Sequence, residues 1–297
     1  MDLILLFFSE FWAGFSGIFK ALANPSAWLD WSDSTAKMRF IYYGGSTEFF
    51  FAVFSVLTII TLVGVYFRGF LWKMVVGVEF MQNALGRFFA WAGLLMVLQQ
   101  VMIVFLQRVF RVSEISVGPF GSVFTRDLSW YAEELKLYNA MIVALCCAYT
   151  FVQGGHVRVD LFYAGMRHRA KKMVDMLGSA LLLMPTMTLV WFFGWFFMWR
   201  HLVTPKINTT DSLESLERKA RLLKWNVETI GFSPNGFDAY FLFKMLIVAF
   251  AGLMFIQAWC FFWRSLLEFI EGPESAGKHL DLDELEDEIA AKVADIH

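Results

Sequence analysis

The sequence predicts an all-α fold, a polytopic membrane helix bundle with five or six spans. Three observations predict it. Five stretches of about twenty residues carry no charge, namely Phe49–Phe67, Phe88–Leu106, Leu137–Gly155, Met176–Trp199 and Met245–Trp263, and an apolar helix of about 20 residues crosses the ~30 Å hydrocarbon core of a bilayer. Apolar residues make up 58 % and charged residues 18 % of the 297-residue chain, against roughly 45–50 % and 25 % in soluble domains. Trp28, Trp31, Trp130 and Tyr131 sit beside the apolar runs, where amphipathic rings favour the headgroup layer. Most of the chain is therefore solvated by lipid, and neither an enzyme working in water nor a nucleic-acid partner is expected.

The elements follow in order. Leu3–Phe19 is apolar apart from Glu10. A signal peptide starts with a basic region, but here the second residue is Asp2. This stretch is either a sixth span or an amphipathic helix lying in the interface. Residues 24–39, with Pro25, Trp28 and Trp31, are expected along the membrane surface. Residues 1–45 thus form an N-terminal apolar helix and interfacial segment, and 46–87 an extra span with a cytoplasmic loop. Residues 88–270 form a four-span core, and 271–297 an acidic cytoplasmic tail.

Orientation is read from Lys and Arg in the short loops. Arg68, Lys73 and Arg87 lie in one loop, and Arg158, Arg167, Arg169, Lys171 and Lys172 in another. Both fall on the same side and are expected in the cytoplasm. Residues 107–130 and 200–235 then face outward, although the second carries six Lys/Arg of its own. Within it, Leu213, Leu216, Leu222 and Leu223 recur among charges over Asp211–Lys224, which predicts a helix capped by Asp211 or Ser212. In the tail, Leu282, Leu285, Ile289 and Val293 fall at helical spacing and suggest a helix that is either solvated or docked on a partner. Pro185 is the only mid-span proline, and a kink is expected there.

The polar residues carry the functional reading. Glu133 and Glu134 follow Trp130-Tyr131 at the outer entrance of the third run. They are expected in the first turn of a helix, where its dipole favours carboxylates, as anchors or partner contacts rather than an acid–base pair. His156-Val157-Arg158-Val159-Asp160 closes the same run. His156 and Asp160, four apart, would share a face if that segment is helical, and Arg158 suits a headgroup phosphate or a carboxylate. No further ligands lie close enough in sequence for a metal site, so the cluster reads as structural or partner-facing.

Gln99, Gln100 and Gln257 lie within runs and can join helices by hydrogen bonds. Lys244, at the outer end of its run, can snorkel. The three cysteines, Cys146, Cys147 and Cys260, lie inside apolar runs and form no disulfide framework. The five histidines lie at run ends or in loops, which disfavours haem held between facing helices. No cofactor is expected. No apolar run carries an Asp or Glu, and none is broken in repeated halves as in many transporters. The chain therefore reads as a membrane protein without its own chemistry, one that needs a partner.

Arg108-Val109-Phe110, then Trp130-Tyr131-Ala132-Glu133-Glu134-Leu135, then Gly155-His156-Val157-Arg158-Val159-Asp160-Leu161 resemble the small membrane (Q-type, DctQ-like) subunit of tripartite ATP-independent periplasmic (TRAP) transporters. The resemblance covers roughly Phe88–Ile270 and is closest to the long-chain branch, where Phe162-Tyr163 and a proline such as Pro185 recur. It implies a small permease subunit in the bacterial inner membrane, with a large TRAP membrane subunit and a periplasmic substrate-binding protein as partners. It further implies sodium-coupled secondary active uptake of an organic acid anion, with this chain supporting the large subunit and helping dock the binding protein. The rival expectation is a membrane anchor subunit of an electron-transfer complex. The residues carried forward as partner-interface or structural polar positions are Arg108, Trp130, Glu133, Glu134, His156, Arg158, Asp160 and Lys244.

Overall fold

The computed structural model describes residues 2–117, 124–154, 163, 165–226, 237 and 239–281. Six helical segments in it are long and apolar enough to cross a membrane: Leu5–Ala23, Thr47–Tyr66, Arg68–Arg108, Leu128–Val152, His168–Leu202 and Tyr240–Glu271. The chain is thus an all-α, multi-pass bundle.

Helix α1 (Asp2–Ala23) runs antiparallel to α4 (Thr47–Tyr66). Phe7 and Phe11 both meet Phe54 edge-on. A Cβ at Gly14 would stand 2.7–2.8 Å from the Phe51–Ala52 backbone, so glycine permits this close approach. The N-terminal stretch therefore has both the length and the helical neighbour of a span.

Two short helices join α1 to α4, namely α2 (Ser26–Leu29) and α3 (Ser34–Gly44). Asp33 caps α3 by accepting the Thr35 and Ala36 N–H groups. Met38 and Ile41 of α3 pack into a cluster with Trp195 and Trp199. Trp191 and Trp195 donate their indole N–H groups to the Gly44 and Ile41 carbonyls, each at 2.9 Å. A side chain on Gly44 would collide with the Trp195 ring.

Phe67 breaks the chain between α4 and α5 (Arg68–Arg108). Helix α5 has 41 residues and is about 60 Å long, twice the hydrocarbon thickness. The sequence reading placed a loop at 68–87 because Arg68, Lys73 and Arg87 interrupt the apolar pattern. The structure corrects this, since those residues are helical. Leu71, Trp72, Val75, Glu79, Gln82, Asn83 and Gly86 are buried along one stripe at the i, i+3, i+4 spacing of a helix face. The charges ride on the other faces, and no proline stops the helix.

A hairpin of β1 (Glu114–Val117) and β2 (Phe124–Asp127) leads into α6 (Leu128–Val152). Asp127 caps α6 through the Ser129 N–H at 2.8 Å. Helix α7 (His168–Gly178) continues through a π turn (Ser179–Leu183) into α8 (Met184–Leu202). Pro185 has no N–H, and its ring crowds the carbonyl four residues earlier. The chain answers with an extra residue in the preceding turn, where Ser179 donates to the Ala258 carbonyl at 2.6 Å.

Strands β3 (Val203–Thr204) and β4 (Lys224–Trp225) bracket α9 (Leu213–Ala220). Helix α9 is capped by Ser212, whose hydroxyl accepts the Ser215 N–H. It is shorter than Asp211–Lys224 because Lys224 is drawn into pairing with Thr204. Helix α10 (Tyr240–Glu271) runs through the centre, with buried residues from Val248 to Glu268. It lies antiparallel to α5 and α8 and parallel to α6.

The bundle has two distinct ends. At the cap end α3, α9 and β3–β4 cover α8, and Arg39 pairs with Glu217 at 2.7 Å. At the other, basic end Arg87 lies beside Asp281 and Lys172 beside Glu268. Residues 68–87 and 167–172 thus gather at one end, as the alternation of spans requires. The tail from Leu282 onward lies outside the described residues.

Asp211 gives the cap a pH dependence. It accepts Lys219 Nζ at 2.5 Å and the Asn208 N–H at 2.8 Å. Partial burial pushes its pKa up, but the Lys219 hydrogen bond, the Asn208 N–H and the ammonium charge outweigh that and hold it below the ordinary 3.8. A depressed carboxyl pKa stabilises the fold fully above the unfolded value, and this is lost as pH falls through the folded one. Fluorescence of the Trp199–Trp225 pair should therefore change reversibly below pH 3.8 and not between pH 5 and 7. Asp211→Asn should remove that step. An unchanged acid step in the variant would mean that Asp211 does not govern it.

Candidate polar sites at the two ends of the bundle

At the cap end, α6 brings two neighbouring carboxylates to two different helices. Successive residues on a helix point about 100° apart, so Glu133 and Glu134 cannot share a face. Glu133 turns toward α10 and accepts the Tyr240 hydroxyl at 2.6 Å, and it also accepts Lys136 Nζ at 2.8 Å. Glu134 turns toward α5 and accepts Gln99 Nε2 at 2.9 Å and the Tyr138 hydroxyl at 3.1 Å. Gln99 Nε2 lies also 3.2 Å from the Tyr131 carbonyl. The two carboxylates therefore clamp α5, α6 and α10 together. Helix α6 begins at Leu128, so they lie in its second turn rather than the first. The helix start is capped by Asp127 instead.

Trp130 packs against Phe237 and lies under the Arg126 guanidinium, 5.8 Å from the ring centroid. Lys244 places its ammonium 4.9 Å from the Phe197 ring centroid, a cation–π contact that keeps the charge near the cap end. Arg108 occupies the last turn of α5, where the helix dipole favours a cation. Gln100 is exposed. His156, Arg158 and Asp160 lie outside the described residues.

The basic end holds a cluster that the apolar-run reading missed. Arg264 of α10 meets Glu79 of α5 with both prongs, Nε to Oε1 at 2.7 Å and Nη2 to Oε2 at 2.5 Å. Its Nη1 donates to the Lys278 carbonyl at 2.9 Å, and the guanidinium lies over Trp72. One turn on, Glu268 pairs with Lys172 at 2.5 Å, and Lys172 also approaches Asp175 at 3.7 Å. Asp175 accepts the Tyr163 hydroxyl at 2.8 Å. Glu79, Arg264 and Glu268 are each buried. Buried charges persist only when paired and hydrogen-bonded, and here each is.

After α10 the chain turns at Gly272, whose φ of 90° is open to glycine and strained for other residues. It then folds back over this cluster. Asn83 donates to the Asp281 carbonyl at 2.9 Å and carboxylate at 3.0 Å, and Gln153 donates to the same carbonyl at 2.9 Å. Residues 272–281 thus strap α10 to α5 and α6. The signal that could have shown Glu79 as interior was the 71–72–75–79–82–83–86 spacing, which is helical although its members are not all apolar.

Among the described residues no group of three or more His, Cys, Asp and Glu is placed to hold a metal ion. His168 Nε2 meets the Glu268 carbonyl at 3.1 Å and His201 Nδ1 the Phe197 carbonyl at 2.8 Å, at opposite ends of the bundle. The polar groups of both sites bind helices to one another.

No curated protein and no solved structure was found to match this chain. Residues 115–214, about a third of the chain, match a protein-family model. They run from the β1–β2 hairpin through α6, α7 and α8 to the start of α9, and so include both the Glu133–Glu134 clamp and the 155–161 motif. The family is that of the tripartite ATP-independent periplasmic transporters, DctQ component, and the resemblance drawn from Trp130–Leu135 and Gly155–Leu161 is the one this match shows.

Proposed function

We propose that the chain is the small permease subunit of a TRAP transporter in a bacterial inner membrane. In this reading it supports a large membrane subunit and helps seat a periplasmic binding protein during sodium-coupled uptake of an organic anion. One observation carries the reading beyond the family match: the acidic side chains of α5, α6 and α10 in the two sites, Glu79, Glu133, Glu134 and Glu268, are spent on bonds to neighbouring helices. Such a bundle is built to hold a shape.

The positive-inside bias puts the basic end in the cytoplasm and the cap end in the periplasm. The cap then offers the binding protein an exposed surface of Arg218, Arg221, Leu222, Lys224 and Trp225, in which cations surround an apolar centre. Residues 1–67 are an addition to the four-span core, packed on it through Trp263 Nε1 to Thr61 Oγ1 at 2.7 Å and Phe54 against Trp259.

The test is reconstitution of all three components in proteoliposomes. Uptake should require a sodium gradient and should vanish when this chain is left out. Glu133→Leu, which strands the Tyr240 hydroxyl, should lower the yield of the membrane complex and the uptake rate in parallel. Uptake by this chain alone would overturn the proposal. So would loss of uptake in Glu133→Leu with the complex and its affinity for the binding protein unchanged, which would place Glu133 on the transport path.

A further inference from the structure

Two glutamines converge inside the contact between α5 and α10. The helices are held in register there at two points. Gln82 Nε2 donates to the Leu253 carbonyl at 3.2 Å, and the Cys260 thiol donates to the Val75 carbonyl at 3.6 Å. Residues 75, 79 and 82 share one face of α5, and residues 253, 257 and 260 share one face of α10, by the i, i+4, i+7 spacing of a helix. Gln257 therefore lies on the α10 face that meets α5, between the two points of contact. Side chains on a helix lean toward its N-terminus, and these two helices are antiparallel. Gln82 leans toward residues 78 and 79, and Gln257 toward residues 253 and 254, so each carboxamide is directed at the level of the other.

Neither side-chain oxygen finds a donor. Gln82 and Gln257 are 1 % and 2 % exposed, and their Oε1 atoms accept no hydrogen bond among the described residues. Gln257 lies inside the Met245–Trp263 apolar run, where lipid offers no donor. A buried acceptor left unpaired costs its full desolvation penalty. The group that answers both oxygens has to be small and has to bring two donors. The neighbouring guanidinium does not serve, because Arg264 spends its Nε and Nη2 on Glu79 and its Nη1 on the Lys278 carbonyl. That same pairing neutralises Glu79, so no net negative charge stands beside the glutamines to favour a bare cation. Water is neutral and carries two O–H donors, and buried water makes about 2–4 hydrogen bonds to such groups.

We propose that an ordered internal water bridges α5 and α10, donating one O–H to Gln82 Oε1 and the other to Gln257 Oε1. It extends the polar contact of Glu79 and Arg264 by about one turn into the bundle. The site is independent of the transport role proposed above.

The test is a structure of the full chain in lipid nanodiscs at a resolution that shows ordered water. A density peak should lie about 2.8 Å from both Oε1 atoms. It should disappear in Gln257→Met, which keeps the length of the side chain and offers no oxygen. In chemical unfolding that variant should raise the unfolded fraction by about 5- to 150-fold, because Gln82 Oε1 loses its bridge. If the variant does not fold, the peak in the wild-type chain decides alone.

Two carboxamides bonded directly to each other, with no peak between them, would overturn the assignment. So would a side chain from residues 155–162 or 282–297 donating to either oxygen, a peak that survives Gln257→Met, or wild-type stability in that variant. A melting temperature that shifts when sodium replaces potassium at fixed ionic strength, in the wild type but not in Gln257→Met, would identify a bound cation in place of water.

Discussion

Replacing Arg264 by Met should destabilise the bundle by about 3–5 kcal/mol, the cost of removing one partner from a buried ion pair. The loss is large because of what stays behind. Glu79 would keep its carboxylate at 4 % exposure with both guanidinium bonds gone. Glu268 would be left to Lys172 and the Gly277 N–H, without the guanidinium 3.8 Å away. The Lys278 carbonyl would lose its donor, so the 272–281 strap should loosen as well. The double variant Glu79→Met/Arg264→Met should recover most of the loss, since a well-packed apolar pair replaces a buried ion pair at little cost. Unfolding of the detergent-solubilised chain in a graded mixture of micelle and SDS would measure both. If the double variant is as unstable as the single one, Arg264 acts through packing on Trp72 and not through charge.

The second large effect is expected at Gly86, where α5 crosses α6. A Cβ added there would fall onto the Cβ and Cγ atoms of Tyr149, and the Cβ is fixed to the α6 backbone and cannot swing away. Gly86→Ala should push the two helices apart and cost at least ~1–3 kcal/mol, the usual range for overpacking. It would also stretch the Cys146 Sγ contact to the Gly86 carbonyl, 3.4 Å long here. Gly93 on the same helix is the control. Its added Cβ would meet only Ile142 Cδ1, at 3.6 Å, an ordinary contact. Gly93→Ala should therefore stabilise by up to ~1 kcal/mol through helix propensity alone. Equal effects at the two positions would refute the close crossing, whereas recovery of Gly86→Ala by Tyr149→Gly, which removes the Tyr149 Cβ, would locate the clash.

Parts of this architecture were legible in the residues alone. Each of the five apolar runs falls on a long helix to within a few residues at its ends, because a span must satisfy its backbone hydrogen bonds within its own segment. That requirement is local, and local composition reveals it. Of the two caps the residues offered for α9, Asp211 and Ser212, the structure uses Ser212, and at Pro185, where a kink was expected, a π turn precedes the proline. The 155–161 motif and the Trp130–Leu135 motif were readable as a resemblance, and the family match covers both.

The tertiary structure decided the rest. Arg68, Lys73 and Arg87 look like a solvated loop when charge is counted. They belong to a continuous 41-residue helix, because only the packing surface of α10 shows which face of that segment is interior. Glu133 and Glu134 look like a pair of helix-start carboxylates. Their different assignments come from partners 107 and 35 residues away. Arg264 directly follows the last apolar run, and its partner is 185 residues distant. Whether a residue can form a helix depends on its immediate neighbours, and lipid enforces that choice segment by segment. Which helix it meets depends on the mutual fit of whole surfaces, and no window of sequence contains both sides of that contact.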